Sequence, residues 1–286
     1  MFEAIVASLG SVQLLKLEDV GDVYFSGPDL QPPDFRIVTE SGEQILVEVK
    51  NFYQRKNETA DFRVRTSDLE AWLEYTNRVV LDSLKLAIYW VRWNVWTLVD
   101  SKVLRPGDDK CSISLPDALM ANEMGVLGDR TIATEWPIGF TVFTDPSQPR
   151  TVDESGDVSF TVAAAEYSVA GRTVTDPSEQ KIVHRLMLHG GWPEKAEAKV
   201  LDGEPVSVSF TFSPAEPPPP PQSFAMHSPL SSIFSNIFME ATAGEQGEIT
   251  QLRLDADPGA LAGLIPDDYE GETLKIWRFH QMPPKV

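Results

Sequence analysis

Hydrophobic positions in the first hundred residues switch between a spacing of three to four and a spacing of two. Phe2, Ile5, Val6 and Leu9 fall on one side of a short helix over residues 1–9. Alternation then predicts strands over 12–17, 35–39 and 44–49. A helix starts at Thr66 or Ser67, where a hydroxyl can cap free amides and Asp68 and Glu70 suit the positive end of the dipole. Its inward positions are Leu69, Trp72, Leu73, Thr76 and Val80. Two β-rich runs, 84–91 and 93–99, complete the order α, β, β, β, α, β, β. This is an α/β (α+β) core, a mixed sheet flanked by helices. Within those last runs Trp90 and Trp96 are expected on one face and Tyr89 and Trp93 on the other, as core rather than as base-stacking surface.

Beyond about residue 103 the runs shorten. β-prone stretches at 139–144, 158–163, 168–174 and 198–201 are separated by Asp, Pro, Ser and Gly. Asp202-Gly203 between two such stretches predicts a two-residue hairpin turn. One helix interrupts: Asp176 caps it, Pro177 takes its first turn, Glu179 holds the capping-box position and Gly190-Gly191 stops it. The chain so divides into a domain over 1–102, an appended β-rich domain over 103–214, a proline-rich linker over 215–222 and a small α+β region over 223–286. The linker rests on the proline run 217–221, which favours an extended spacer. The last region offers a helix near 230–239 and strands near 248–254 and 273–279.

Composition narrows the function classes. The chain has 286 residues, long enough for about two domains and a sizeable core. One cysteine, Cys111, excludes a disulfide scaffold and a Cys-based zinc cluster. No basic segment opens the chain as in a secretory signal. The most apolar run, 84–99, is short for a membrane span and carries Lys85 and Arg92. A cytoplasmic protein without a membrane partner is therefore expected. The formal net charge is −19, which excludes a general nucleic-acid coat. Against that background Lys50, Arg55, Lys56, Arg63 and Arg65 form a local basic cluster, able to contact phosphates beside a reaction site or to be simply a solvated loop.

The chemistry is carried by Pro33-Asp34-Phe35-Arg36-Ile37-Val38 and by Gln44-Ile45-Leu46-Val47-Glu48-Val49-Lys50. A three-residue loop, Glu40-Ser41-Gly42, with Gly42 left-handed, pairs Thr39 with Glu43 and sets Asp34 opposite Glu48. Directly opposite side chains are roughly 5 Å apart at Cβ, so two carboxylates share one sheet edge, and Lys50 points to the same side. Phe35, Ile37, Ile45 and Val47 point to the other side, into a core. Two such carboxylates repel unless a cation joins them, and a hard divalent ion such as Mg²⁺ fits oxygen donors. An ammonium beside the ion can position water or stabilise charge growing on a phosphate.

Pro33-Asp34, followed after a gap by Glu48-Val49-Lys50, resembles the signature of the PD-(D/E)xK nuclease superfamily, which includes restriction endonucleases and archaeal Holliday-junction resolvases. The likeness covers about residues 1–100 and extends to the element order, a restriction-endonuclease-like core. It implies Asp34, Glu48 and the Val49 carbonyl as metal ligands, with Lys50 as the catalytic lysine. It further implies a glutamate on the first helix, for which Glu3 is the match and Glu18 the second choice. A hydrolase follows: a Mg²⁺-dependent (endo)deoxyribonuclease, with Mn²⁺ able to substitute, acting in restriction, phage defence or repair. DNA is the expected substrate, with RNA and a homodimer left open.

Other readings stay open. Asp34, Glu48 and Lys50 could be ordinary solvated strand ends, or the chain could be an inactive nuclease-like scaffold that recruits a protein partner through its acidic C-terminal regions. Residues 103–214 could also be a ligand-binding β module with its own role.

Overall fold

The structure, a computed structural model, describes residues 1–27, 30–54, 60–81, 83–242 and 259–283. In chain order the first elements are α1 (Phe2–Leu9), β1 (Val12–Leu17), β2 (Phe35–Thr39), β3 (Gln44–Phe52), β4 (Phe62–Arg65), α2 (Thr66–Arg78), β5 (Leu84–Trp90) and β6 (Val95–Asp100). Next come β7 (Lys110–Ile113), α3 (Leu115–Met120), β8 (Thr131–Thr134), β9 (Ile138–Thr144), β10 (Thr151–Val152), β11 (Val158–Ser159), β12 (Val162–Val169) and β13 (Arg172–Val174). The rest are α4 (Pro177–His189), β14 (Glu194–Leu201), β15 (Glu204–Phe212), β16 (Ala225–Pro229), α5 (Leu230–Thr242), α6 (Ala260–Leu264) and β17 (Ile276–Phe279). Among the described residues no helix is long and apolar enough to cross a membrane.

The chain forms two units: Met1–Arg130 with Pro229–Leu264 and His280–Val286, and Thr131–Ser228 with Ile265–Phe279. Residues 103–130 thus join the first unit rather than opening a second one. The cause is pairing over a long sequence distance: β7 runs antiparallel to β4, with Val64 opposite Cys111, and Ala118 of α3 enters the same core. The proline run at 217–221 lies inside the second unit, where a spacer between domains was expected.

In the first unit a mixed sheet has the order β1-β2-β3-β5-β6. β1, β2 and β3 are successively antiparallel, β3 and β5 are parallel, and β6 returns antiparallel to β5. This is an α/β arrangement with helices on both faces. α1 buries Phe2, Ile5, Val6 and Leu9, and Phe2 lies 5.6 Å from the Phe35 ring and 5.5 Å from Trp96. On the other face Leu69 and Trp72 of α2 pack with Leu46, Leu86, Ile88 and Trp90. Burying large apolar side chains on both faces is the main source of this unit's cohesion.

Several local expectations change. α2 begins with Arg65 as its N-cap and without a side-chain cap; the Thr66 hydroxyl instead sits 3.9 Å from the Cys111 thiol. Val80 is past the helix end, left-handed and 86% exposed. Tyr89 and Trp96 are cross-strand partners on one face and stack at 4.8 Å, while Trp90 faces α2. Trp93 is on no strand, because a 3-10 turn over Val91–Trp93 joins β5 to β6.

The second unit is built on an antiparallel sheet, β13-β12-β9-β15-β14. Asp202 and Gly203 take φ of 52° and 85° and turn β14 into β15 as the sequence predicts. The stretch 168–174 is two strand ends joined by a turn, 168–169 closing β12 and 172–174 forming β13, since Ala170 and Gly171 between them are both left-handed. The stretch 158–163 is divided between β11 and the start of β12. Asp176 does cap α4, accepting from the Ser178 and Glu179 amides at 2.9 Å each. Glu179 turns away from the capping box and accepts from the Thr273 and Leu274 amides at 3.3 and 3.2 Å. The strand expected near 248–254 lies outside the described residues.

Candidate active site

The β2–β3 hairpin has the register that its sequence predicts. Gly42 is left-handed with φ of 84°, Thr39 N–H donates to Glu43 O at 2.9 Å, and Phe35 stands opposite Val47. Phe35, Ile37, Ile45 and Val47 are buried on the α1 side. The opposite parity therefore carries Asp34, Glu48 and Lys50 to the α2 side, where Lys50 Nζ lies 5.1 Å from the centroid of the Trp72 ring.

β2 begins at Phe35, opposite Val47, whereas β3 runs on to Phe52, and the two acids bridge the point where their pairing stops. Asp34 N–H donates to Glu48 Oε2 at 3.3 Å, and Val49 N–H donates to Asp34 Oδ2 at 2.7 Å. In an extended strand a residue's N–H and C=O point to the same edge, so the Val49 carbonyl is directed towards the side occupied by Asp34. Lys50 Nζ donates to Glu48 Oε1.

Glu48 is buried at 3% exposure. Burial, with the negative charge of Asp34 adding to it, pushes the Glu48 carboxyl up to about 7 although Lys50 pulls the other way. Burial also raises Asp34 above the ordinary aspartate value, opposed by the Val49 amide and by Lys50. Among the described residues, these two desolvated, mutually repelling carboxylates have one ammonium bonded to them, less positive charge than the pair would carry in negative.

The other sequence candidates separate. Glu3 is exposed in the first turn of α1, the helix that covers the opposite face, and the structure does not bring it to Asp34 and Glu48. Glu18 follows β1 and is laid beside Asp34, whose carbonyl accepts from the Glu18 amide at 2.9 Å. Its buried carboxylate is bound by Arg36 at 2.5 Å, Tyr75 at 2.7 Å and Lys16 at 3.1 Å. Burial acts to raise its pKa, and these three donors outweigh burial and hold it below the usual value. Arg36 and Tyr75 were not singled out from the sequence. Arg36 has the parity of Asp34, which marks its face, but the arrival of Tyr75 depends on the packing of α2. Arg63 and Arg65 are exposed on β4, and Arg65 pairs with Asp68 at 3.0 Å. Arg55 and Lys56 lie outside the described residues.

No protein-family model matches the chain, and no curated protein matches it. Among solved structures it is similar to a Holliday junction resolvase of Archaeoglobus fulgidus, an archaeal hyperthermophile. The identity is 14%, 37% of this chain and 83% of that chain are covered, and the TM-score is 0.28. A likeness of that size equates neither the folds nor the activities.

Proposed function

We propose that this chain is a Mg²⁺-dependent nuclease that hydrolyses phosphodiester bonds of DNA. One observation carries the reading: Asp34, Glu48 and Lys50 converge on one face where the β2–β3 pairing stops, with both acids raised in pKa and, among the described residues, the Lys50 ammonium alone bonded to them as a cation. The donor set fits the ion. Among the described residues no cluster of three or more His, Cys, Asp or Glu can hold a metal. Two carboxylates and a carbonyl remain, the hard oxygen set that suits Mg²⁺ when water and substrate phosphate complete the shell. Asp34, Glu48 and the Val49 carbonyl would hold it, and the ion would supply Lewis-acid charge for attack on phosphorus.

The chain's own part is positioning. The hairpin fixes the two acids relative to each other, and Trp72 supports the Lys50 side chain from below. The Lys50 ammonium then stabilises charge growing on the phosphate as water adds. Plasmid nicking with Mg²⁺ or Mn²⁺ tests the assignment, with an RNA of matched sequence as the comparison substrate. Glu48→Gln and Lys50→Ala should each lose at least about 100-fold in rate, the scale of a lost transition-state contact. Wild-type rates in both variants would overturn it.

A further inference from the structure

Trp93 is held in place without being buried. It ends the turn after β5 and is 52% exposed. Its indole N–H donates to Gln54 Oε1 at 3.1 Å, and the Arg92 guanidinium lies 5.1 Å from the ring centroid. The turn is pinned from within. Tyr89 Oη donates to Asn94 Oδ1 at 2.9 Å, and Asn94 Nδ2 donates to Ser232 O at 3.1 Å and to Asn236 Oδ1 at 2.8 Å. Asn94 itself is left-handed, a conformation asparagine tolerates better than most residues. Folding ordinarily recovers free energy by burying a ring of this size. Here the hydrogen bonds fix its place in water instead.

Its position relative to the candidate active site gives the ring a use. β3 and β5 are parallel, so their C-terminal ends share one end of the sheet, and Phe52 opposite Trp90 is the last pair. Lys50 and Glu48 precede Phe52 by two and four residues, which is roughly 7 and 13 Å at about 3.3 Å per residue. The Trp93 turn thus follows the same end of the sheet that lies two residues beyond Lys50 on β3, a span that a few nucleotides of a bound strand cover. Tyr53, 74% exposed, follows β3 at the same end.

We infer that Trp93, with Arg92 beside it, is a stacking platform for an unpaired base. The substrate is then nucleic acid with a single-stranded stretch a few nucleotides from the cleaved phosphate; this rests on the nuclease reading above. Inside a duplex a base shows only its edge to a protein, whereas an unpaired base offers its face to an indole. Arg92 supplies a cation for the neighbouring phosphate or for the π face.

Fluorescence anisotropy separates this from the activity. The full chain in the Glu48→Gln background, which would not consume substrate, is titrated against a labelled single strand and a blunt duplex of the same sequence. Adding Trp93→Ala should weaken single-strand binding about 5- to 150-fold, the range for one lost base–aromatic stack. Duplex binding should stay within about twofold, and Trp93→Phe should restore most of the single-strand affinity. The unfolding midpoint of each variant is measured alongside, and it should not move for an exposed side chain. Failure to bind the single strand, or equal binding with and without Trp93, overturns the platform whatever the nicking assay gives. A Trp93 effect without wild-type cleavage would remove the nuclease reading alone.

Discussion

Glu48→Gln should stabilise the metal-free protein above neutral pH. The Glu48 carboxyl moves from an ordinary 4.5 to about 7 on folding, because it is buried and faces Asp34. At about 1.4 kcal/mol for each tenfold change in proton affinity, ionising it costs the folded chain about 3 kcal/mol at pH 8. The sign follows from proton counting. Between 4.5 and about 7 the folded state holds more of the proton than the unfolded state, so stability falls as pH rises through that window. At pH 5 the same cost is only about 1 kcal/mol. Glutamine keeps an acceptor for the Asp34 amide and carries no charge, and so resembles the protonated acid. The attraction of Lys50 is already part of this balance.

Urea unfolding in EDTA at pH 5 and pH 8 measures it, with tryptophan fluorescence as the signal, since Trp72, Trp90 and Trp96 are buried in the first unit. The variant should gain about 2 kcal/mol more over wild type at pH 8 than at pH 5. Mg²⁺ should then raise the midpoint of wild type at pH 8 and leave Glu48→Gln nearly unmoved. If the variant differs from wild type by the same amount at both pH values, Glu48 is not destabilised by its surroundings, and the charge argument for a bound ion fails with it.

Two further outcomes test other parts of the molecule. His227, in the second unit, is buried with Nδ1 lacking a well-aligned partner and Nε2 2.9 Å from Thr134 Oγ1, and burial holds its pKa down at about 3. Protons are then bound preferentially by the unfolded chain below pH 6.5, so wild type should lose about 2 kcal/mol between pH 7.5 and 5 that His227→Phe does not lose, as read from urea melts. Tyr75→Phe removes a donor from the buried Glu18 carboxylate and should cost about 1–3 kcal/mol at neutral pH, with the Glu18 carboxyl titrating higher by NMR.

The hairpin was legible because two local signals agree on one register. A glycine able to be left-handed sits at position 42, and the alternation of Phe35, Ile37, Ile45 and Val47 permits only one set of side chains to face the core. The placing of Glu18 beside Asp34 comes from the β1–β2 register, Leu17 opposite Phe35, which no short turn in the sequence fixes. What escaped the sequence depends on distant partners. β4 is a four-residue strand that exists because β7 pairs with it across α2, β5 and β6. Trp93 reads as strand by composition, and only the anchoring of Asn94 on α5 shows that the chain turns there.

The reciprocal bonding of Asp34 and Glu48 bears on how the proposed activity can be tested. The two acids close the end of the β2–β3 pairing as well as bearing charge, because the Val49 amide has Asp34 Oδ2 as its partner and the Asp34 amide has Glu48 Oε2. Truncation to alanine at either position leaves a main-chain donor unanswered and loosens the open end of the hairpin. Variants that test the proposed nuclease are therefore better made as the amides, Asp34→Asn and Glu48→Gln, each of which removes a negative charge and keeps the scaffold knit.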